Sequence, residues 1–212
     1  MQPIASPSND QDRTSRIGVL GGTFDPPHNG HLLIAEQALN QLDLAQVLFA
    51  PTRQPPHKQD QAITPIDHRL EMVRLAIEPY PRFGISRVDI DREGPTYTVD
   101  TLRLLRQQLG KRIELFFIIG MDSLENIMSW RTPELLIRLC HLVVFDRPGY
   151  APHIEELEMK LPGLKECVVL LPAPTLDIAA SALQKRNRDG QSIAQFVPDS
   201  VEEYIAEHRL YQ

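Results

Sequence analysis

Two histidines that lie three residues apart, His28 and His31, are the side chains best suited to chemistry. They close the segment GGTFDPPHNGH at residues 21–31, which follows a short apolar run and leads into an amphipathic helical pattern. Side chains with this spacing at a helix start can point the same way, so both imidazoles can reach one ligand. Together with amides of the helix N-terminus, they would clamp a phosphate and stabilise charge that develops during transfer.

The glycines of this segment predict that the backbone comes close to a ligand. Gly21 and Gly22 directly follow the apolar run, Thr23 adds a hydroxyl, and Gly30 permits a tight turn into the helix. The segment is neither the dinucleotide fingerprint GxGxxG nor the phosphate loop GxxxxGK. A Gly/Pro loop with surface histidines is the plainer interpretation. Half of a metal site is disfavoured because no third ligand has a sensible spacing, so no metal site is predicted.

The same eleven residues closely resemble the GGTFDPxHxGH signature of bacterial nicotinate-mononucleotide adenylyltransferases, which belong to the HxGH nucleotidyltransferase superfamily. The resemblance covers nearly the whole chain, apart from the N-terminal tail and residues 150–165. Four further segments carry it: PPHK at 55–58, YTVDTL at 97–102, GMD at 120–122 followed by Trp130, and the closing stretch at 190–205, which is similar to GxSIxxLVPxxVxxYI.

The resemblance implies an enzyme of NAD biosynthesis. It would transfer the adenylyl group of ATP to nicotinate mononucleotide, giving deamido-NAD and pyrophosphate by direct in-line attack. Such a transfer depends mainly on positioning and charge stabilisation. Mg²⁺ would be carried on the ATP phosphates. The expected ligands are ATP and nicotinate mononucleotide, with no nucleic acid and no membrane, while a homo-oligomer is left open.

The resemblance also implies the site residues. His28 and His31 would be catalytic, holding the ATP phosphates and stabilising the transition state. The residues implied for ATP and phosphate binding are Gly21, Gly22, Thr23, Phe24, Gly30, Lys58, Gly120, Asp122, Ser181 and Arg186. The residues implied for the nicotinate nucleotide are Tyr97, Thr98 and Trp130.

Several of these residues have plainer interpretations. Lys58 could be a solvated loop lysine, and Thr98 and Asp122 could be helix N-caps. Trp130 is the only tryptophan, and packing in the core competes with stacking on a pyridine ring.

The chain departs from the family near its C-terminus, where the resemblance predicts the phosphate motif ISxTxIR. The equivalent residues 178–184 read IAASALQ, so Ala179 stands for a serine, Ser181 for the threonine and Gln184 for the arginine. Loss of one charged hydrogen-bond donor lowers transition-state stabilisation by roughly ten- to a hundredfold. Arg186 lies two positions further on and does not simply replace the arginine.

Three other functions compete with the leading one. A pantetheine-phosphate adenylyltransferase is disfavoured, because that family is shorter and lacks the PPHK loop and the closing motif. A nicotinamide-preferring adenylyltransferase differs only by one amide in place of one carboxylate on the substrate. A catalytically weakened nucleotide-binding relative is the third, and Gln184 is the residue that motivates it.

The strands and helices that position these residues can be predicted from the alternation of apolar runs and amphipathic stretches along the chain. Apolar strand-like runs at 16–20, 47–50, 114–119, 142–145 and 168–171 alternate with amphipathic helical stretches. This order predicts an α/β, Rossmann-like, doubly wound parallel sheet with helices on both faces. Residues 85–90 read as a further strand and 150–165 as a variable surface segment. Residues 1–15 are expected to be a disordered tail and 16–212 one domain, with 181–212 a C-terminal helical subregion.

Composition limits the classes of binding partner and the cellular location that we expect. The 212 residues carry a formal charge of −6, which disfavours nonspecific binding of nucleic acid or of an anionic membrane surface. Two cysteines are too few for a disulfide framework, and we expect buried free thiols. Neither a signal peptide nor a long apolar run is recognisable, so a cytoplasmic location is expected.

Overall fold

The structure, a computed structural model, describes residues 14–54, 63–110, 112–146, 153–173 and 178–212. Its centre is a six-stranded, fully parallel sheet with the strand order β3-β2-β1-β4-β5-β6. The strands are β1 Ser15–Gly22, β2 Gln46–Pro51, β3 Phe83–Ile85, β4 Ile113–Gly120, β5 His141–Asp146 and β6 Val168–Pro172. This is the doubly wound order in which the direction of strand addition reverses between β1 and β4.

Helices connect successive strands and close the C-terminal part. They are α1 Asn29–Gln41, α2 Ile66–Ile77, α3 Thr98–Leu109, α4 Met121–Glu125, α5 Pro133–Leu139, α6 Ile154–Lys160, α7 Leu164–Cys167, α8 Ala180–Arg188 and α9 Asp199–Glu207. A short 3₁₀ helix, Ile127–Ser129, lies between α4 and α5.

Alternate residues of each strand pack on opposite faces of the sheet. In β4, Phe116 and Ile118 join the cluster formed with α1, α2, α8 and α9, whereas Leu115 and Phe117 join the cluster formed with α3 to α7. Both faces are therefore buried, as near-continuous apolar strands require. The predicted doubly wound α/β fold is confirmed.

Two predictions about individual elements are wrong. The strand expected at 85–90 ends at Ile85, and the chain then turns, with the Ile90 and Asp91 amides donating to the Arg87 carbonyl. The turn buries Asp89 beside Arg92 and Thr101, partners that a buried carboxylate needs. Residues 150–165 were expected to form surface, yet α6 and α7 lie within them or begin there, and they bury Leu157, Leu161 and Leu164.

The two cysteines, Cys140 and Cys167, are buried and free. Burial raises the pKa of the Cys167 thiol to about 11 and that of the Cys140 thiol further still, so both stay protonated at neutral pH. No helix among the described residues is long and apolar enough to cross a membrane.

Candidate active site

The loop after β1 delivers the two histidines to the start of α1. His28 has an extended backbone just before the helix, and its N–H donates a 3.2 Å hydrogen bond to Nδ1 of His31. The two rings stack with centroids 3.7 Å apart. Because His31 Nδ1 accepts this bond, its proton resides on Nε2, so the backbone fixes the tautomer. The structure thus brings the two predicted catalytic histidines together.

Burial keeps both imidazoles neutral. It lowers the pKa of His28 to about 4, and burial together with the neighbouring His28 lowers the pKa of His31 well below its ordinary value. His28 is 6% exposed, and its Nδ1 has no hydrogen-bond partner among the described residues. At neutral pH these side chains are uncharged hydrogen-bond donors and acceptors, and an approaching anion would raise both pKa values.

Glycines and one aromatic ring shape the loop around the histidines. A Cβ on Gly30 would lie 3.0 Å from His28 Nδ1, and a Cβ on Gly22 would lie 3.0 Å from the Phe24 ring. Phe24 is buried and packs edge-on against His31, with centroids 5.0 Å apart. Phe24, which the resemblance implies for ATP and phosphate binding, therefore packs against His31 and does not itself line the cleft described below.

The helix N-terminus offers fewer amides than the sequence suggested. The Asn29 N–H donates to the Phe196 carbonyl at 2.8 Å, and the His31 N–H donates to the His28 carbonyl at 2.9 Å. These two donors are already used within the fold. An anion bound at this helix start would therefore use donors other than these two amides, such as the imidazoles and the amides of the glycine loop.

A cleft of about 830 Å³ opens at the carboxyl ends of β1 and β4, where the strand order reverses. Ligands of doubly wound proteins bind at this position of the sheet, and the volume suits a ligand of dinucleotide size. Nine of the predicted site residues line this cleft: Gly21, Gly22, Thr23, His31, Tyr97, Thr98, Gly120, Asp122 and Trp130. His28, Phe24 and Gly30 lie behind it, in contact with residues that line it.

One end of the cleft is aromatic. Trp130 is half-buried and packs edge-on against Phe117, with centroids 6.2 Å apart. Tyr97 is the N-cap position of α3 and makes no side-chain capping bond, and Thr98 is the first helical residue. Neither Thr98 nor Asp122 is therefore an N-cap, since α4 starts at Met121 with Gly120 before it. Tyr97, Phe117 and Trp130 form what we call the aromatic end of the cleft.

The C-terminal phosphate residues do not reach the cleft. Ser181 is exposed in the first turn of α8. The Arg186 guanidinium lies 5.3 Å from the Phe196 ring centroid and donates to the Ser192 carbonyl, so it is engaged by the following segment. Helical geometry explains this, because position 186 lies about 200° around the helix from position 184. Lys58 lies outside the described residues.

Gln184 keeps a contact with the catalytic loop although the resemblance predicts arginine at its position. Its Nε2 donates a 2.7 Å hydrogen bond to the carbonyl of Asp25, three residues before His28. α8 therefore still supports the loop, through a neutral amide in place of a guanidinium.

A buried arginine that the sequence analysis missed organises the back of the site. Arg69 is 1% exposed and donates to the carbonyls of Thr23, Thr52 and Thr64 at 2.7, 2.9 and 2.8 Å. It thereby ties the glycine loop to both chain segments that flank residues 55–62. Its spacing from Met72 and Val73 on the buried face of α2 was the available signal, because an arginine on an apolar helix face needs partners.

No group of three or more His, Cys, Asp or Glu side chains is arranged to hold a metal ion in the described ranges. The charged groups of the cleft are few. Asp89 is paired with Arg92 at 3.0 Å, and burial raises its pKa.

Comparison with known proteins gives the class first. The model of the family described as cytidylyltransferase-like matches residues 19–189. A protein of Plasmodium falciparum described as nicotinic acid mononucleotide adenylyltransferase complexed with NaAD has the same fold, with a TM-score of 0.75 and 21% identity over 93% of this chain and 97% of that one.

Two bacterial relatives give the particular family. Both are named probable nicotinate-nucleotide adenylyltransferase. The one from Dehalococcoides mccartyi strain CBDB1 is 45% identical over 197 residues, covering 92% of this chain and 97% of the relative. The one from Thermomicrobium roseum is 46% identical over 198 residues, covering 93% and 92%. The chain belongs to the cytidylyltransferase-like family and, within it, to the nicotinate-nucleotide adenylyltransferases.

Proposed function

We propose that this protein transfers the adenylyl group of ATP to nicotinate mononucleotide, giving deamido-NAD and pyrophosphate. The observation that carries the proposal is a single cleft at the strand-order reversal, with His31 beside the glycine loop and an aromatic end formed by Tyr97, Phe117 and Trp130. One cleft of about 830 Å³ has room for a mononucleotide next to a nucleoside triphosphate.

The reaction is a direct displacement at the α-phosphorus of ATP. An oxygen of the mononucleotide 5′-phosphate attacks this phosphorus, the bond to the oxygen that bridges to the β-phosphate breaks, and pyrophosphate leaves in line. No protein nucleophile is needed. Catalysis then rests on aligning the two phosphates and on stabilising charge on the departing oxygens.

The residues divide between the two ends of the cleft. Nε2–H of His31 donates to a phosphate oxygen, His28 stacks behind it, and Gly21 and Gly22 let the phosphates approach the backbone. Lys58 adds positive charge to the phosphates. Mg²⁺ arrives with ATP and neutralises part of the triphosphate charge. At the other end Trp130 and Tyr97 hold the pyridine ring, and Thr98 contributes its hydroxyl.

The experiment is an acceptor panel. Purified protein is mixed with ATP, Mg²⁺ and either nicotinate mononucleotide, nicotinamide mononucleotide or phosphopantetheine, and pyrophosphate and the dinucleotide product are measured. We expect turnover with nicotinate mononucleotide above the other two. If neither nicotinate mononucleotide nor nicotinamide mononucleotide is turned over, the proposed function is overturned, while the description of the fold is unaffected.

His31→Ala tests the assigned role of the histidine pair. Removal of one donor aimed at developing charge lowers kcat by roughly 100- to 1,000-fold. His153→Ala is the matched control, because His153 is exposed just before α6, far along the chain from the cleft residues. An unchanged kcat for His31→Ala would refute the role, and thermal unfolding of both variants separates loss of rate from loss of fold.

A catalytically weakened, nucleotide-binding protein is the second candidate. Two observations favour it: Gln184 replaces the arginine that the resemblance predicts, and Ser181 and Arg186 do not line the cleft. The same panel decides between the two, because such a protein would bind ATP by calorimetry without releasing pyrophosphate.

A further inference from the structure

One cationic side chain sits in the cleft where no phosphate is expected. Among the described residues that line the cleft, Arg131 is the only arginine or lysine. It directly follows Trp130 and precedes α5, so it belongs to the aromatic end and not to the glycine loop. The proposed function puts the pyridine ring at this end of the cleft and the reacting phosphates at the glycine loop.

The guanidinium of Arg131, an exposed residue at the rim of the cleft, lies over an aromatic ring. Its Cζ lies 4.6 Å from the centroid of the Tyr97 ring. A guanidinium over a ring face is attracted by the negative face of the ring and can still donate hydrogen bonds from N–H groups that point away from it. Within the part of the chain that the structure describes, these N–H groups make no hydrogen bond or ion pair. The donors are therefore positioned but uncommitted.

The remaining charges of the cleft do not occupy Arg131. Asp89 forms an ion pair with Arg92 and accepts a 2.8 Å hydrogen bond from the Thr101 hydroxyl. Asp122 is exposed in the first turn of α4, which follows β4. A ligand that brings its own anionic group to the aromatic end finds Arg131 there, the only arginine or lysine among the described residues that line the cleft.

We propose that Arg131 determines selectivity for the acid form of the pyridine ring by binding its carboxylate in the cleft, while it stacks on Tyr97. The proposal rests on the proposed function. A carboxylate on a ring that packs against Trp130 is carried into an aromatic environment, which is costly for an unpaired charge. The guanidinium fork matches carboxylate geometry with two parallel N–H···O bonds.

The amide form of the ring suits this position less well. Arginine has five donors and no acceptor, so only the carbonyl of a carboxamide can be bound, and its NH₂ group meets further donors. A hydrogen bond to a charged partner contributes more than a neutral one, by an amount that corresponds to roughly ten- to a hundredfold in affinity. Arg131 thus discriminates acid from amide by both charge and hydrogen-bond direction.

The test compares nicotinate and nicotinamide mononucleotides with the wild-type protein and with Arg131→Gln, Arg131→Lys and Arg103→Gln. Arg103 is an exposed arginine of α3 that pairs with Asp100, so it serves as the matched control. Two readouts are taken: kcat/KM with ATP at saturation, and binding of each mononucleotide by calorimetry. Thermal unfolding confirms that each variant is folded.

We expect Arg131→Gln to lower the acid-to-amide ratio of kcat/KM by roughly ten- to a hundredfold, with most of the loss on the acid, and Arg131→Lys to recover part of it. Arg103→Gln keeps the ratio. Equal losses on both substrates would show that Arg131 binds a shared group such as the phosphate, and an unchanged ratio would show that it binds neither; both results overturn the proposal.

Binding separates this proposal from the proposed function. If the wild-type protein turns over neither substrate, but binds the acid more tightly than the amide and loses that preference in Arg131→Gln, the enzymatic function fails and the assignment of Arg131 stands. If the preference survives in Arg131→Gln, or if the wild-type protein shows none, the assignment of Arg131 is overturned whatever the turnover.

Discussion

The hydroxyl of Tyr211 donates a 2.5 Å hydrogen bond to Oδ1 of Asp25, a residue 186 positions earlier in the chain. Burial, with Asp25 beside it, raises the pKa of this phenol, so it remains a donor at any physiological pH. The other carboxylate oxygen of Asp25 accepts the Thr64 amide at 3.1 Å, and Gln184 donates to the Asp25 carbonyl. The loop that carries the histidines is therefore held from three distant parts of the chain.

Tyr211→Phe tests this tie. The substitution removes one hydrogen bond to the carboxylate of the buried Asp25 and leaves the ring in place. We expect the free energy of unfolding to fall by about 1.5–3 kcal/mol, measured by urea denaturation. Tyr80→Phe is the control, because Tyr80 stacks on Phe83 through its ring. Equal stability of the two variants would show that the Tyr211 hydroxyl contributes nothing.

Arg69→Met removes the donors that join the glycine loop to the segments around residues 55–62. It leaves the carbonyls of the half-buried Thr23, Thr52 and Thr64 without this partner and Asp25 without its nearby cation. We expect a loss of stability of more than about 3 kcal/mol, as for other broken buried networks.

Arg74→Met is the matched control for Arg69 on the same helix. Arg74 is exposed and pairs with Glu71 and Glu78 on the surface, so we expect little change in the free energy of unfolding. Arg69→Lys keeps the positive charge but loses the planar guanidinium with its several N–H donors, so it tests the hydrogen-bond geometry separately from the charge. If Arg69→Lys retains wild-type kcat, the fork does not position the glycine loop.

The buried histidines predict how stability depends on pH. The pKa of His28 is about 4 in the folded protein and about 6.5 when unfolded, so between these values the unfolded chain binds the extra proton. Stability is then fully present above pH 6.5 and falls as the pH drops towards 4, by on the order of 3 kcal/mol from His28. His31 adds to this loss, because its pKa is lowered in the same direction.

Urea unfolding at pH 7.5 and pH 4.5 measures the effect. The difference between the two pH values should shrink in His28→Asn, which cannot titrate, by comparison with the wild type. His153→Asn, at an exposed position, should keep the wild-type difference. An undiminished pH dependence in His28→Asn would contradict the assignment of the effect to burial of this imidazole.

Gln184→Arg restores the guanidinium that the resemblance predicts on α8. Position 184 lies close enough to the histidine loop for this substitution to act there, because the Gln184 amide already donates to the Asp25 carbonyl at 2.7 Å. We expect kcat/KM for ATP to rise by roughly ten- to a hundredfold. Gln191→Arg, at an exposed position beyond α8, controls for added charge. If neither rate nor ATP affinity improves, the guanidinium missing at position 184 does not limit catalysis in this protein.

Local patterns in the sequence were sufficient for most of the elements and for part of the site. The strand-like run predicted at 114–119 lies within β4, Ile113–Gly120, and such apolar runs become strands that are buried on both faces. In a parallel sheet the carboxyl ends of neighbouring strands share one edge, so Gly21, Gly22 and Gly120 had to meet there. The spacing of His28 and His31 similarly fixed their contact across one helical turn.

Tertiary structure decided the relationships that depend on distant positions. Nothing in the pattern around Tyr97 or Arg131 indicates that their side chains stack, and the network of Asp25, Arg69 and Tyr211 joins the beginning, the middle and the end of the described chain. The displacement of Arg186 from the cleft and the low pKa of His28 are of the same kind. The sequence determined which elements form, because propensity and periodicity act over a few residues. Burial, charge and hydrogen-bond partners at the site depend on which surfaces pack together, and only the assembled fold specifies that.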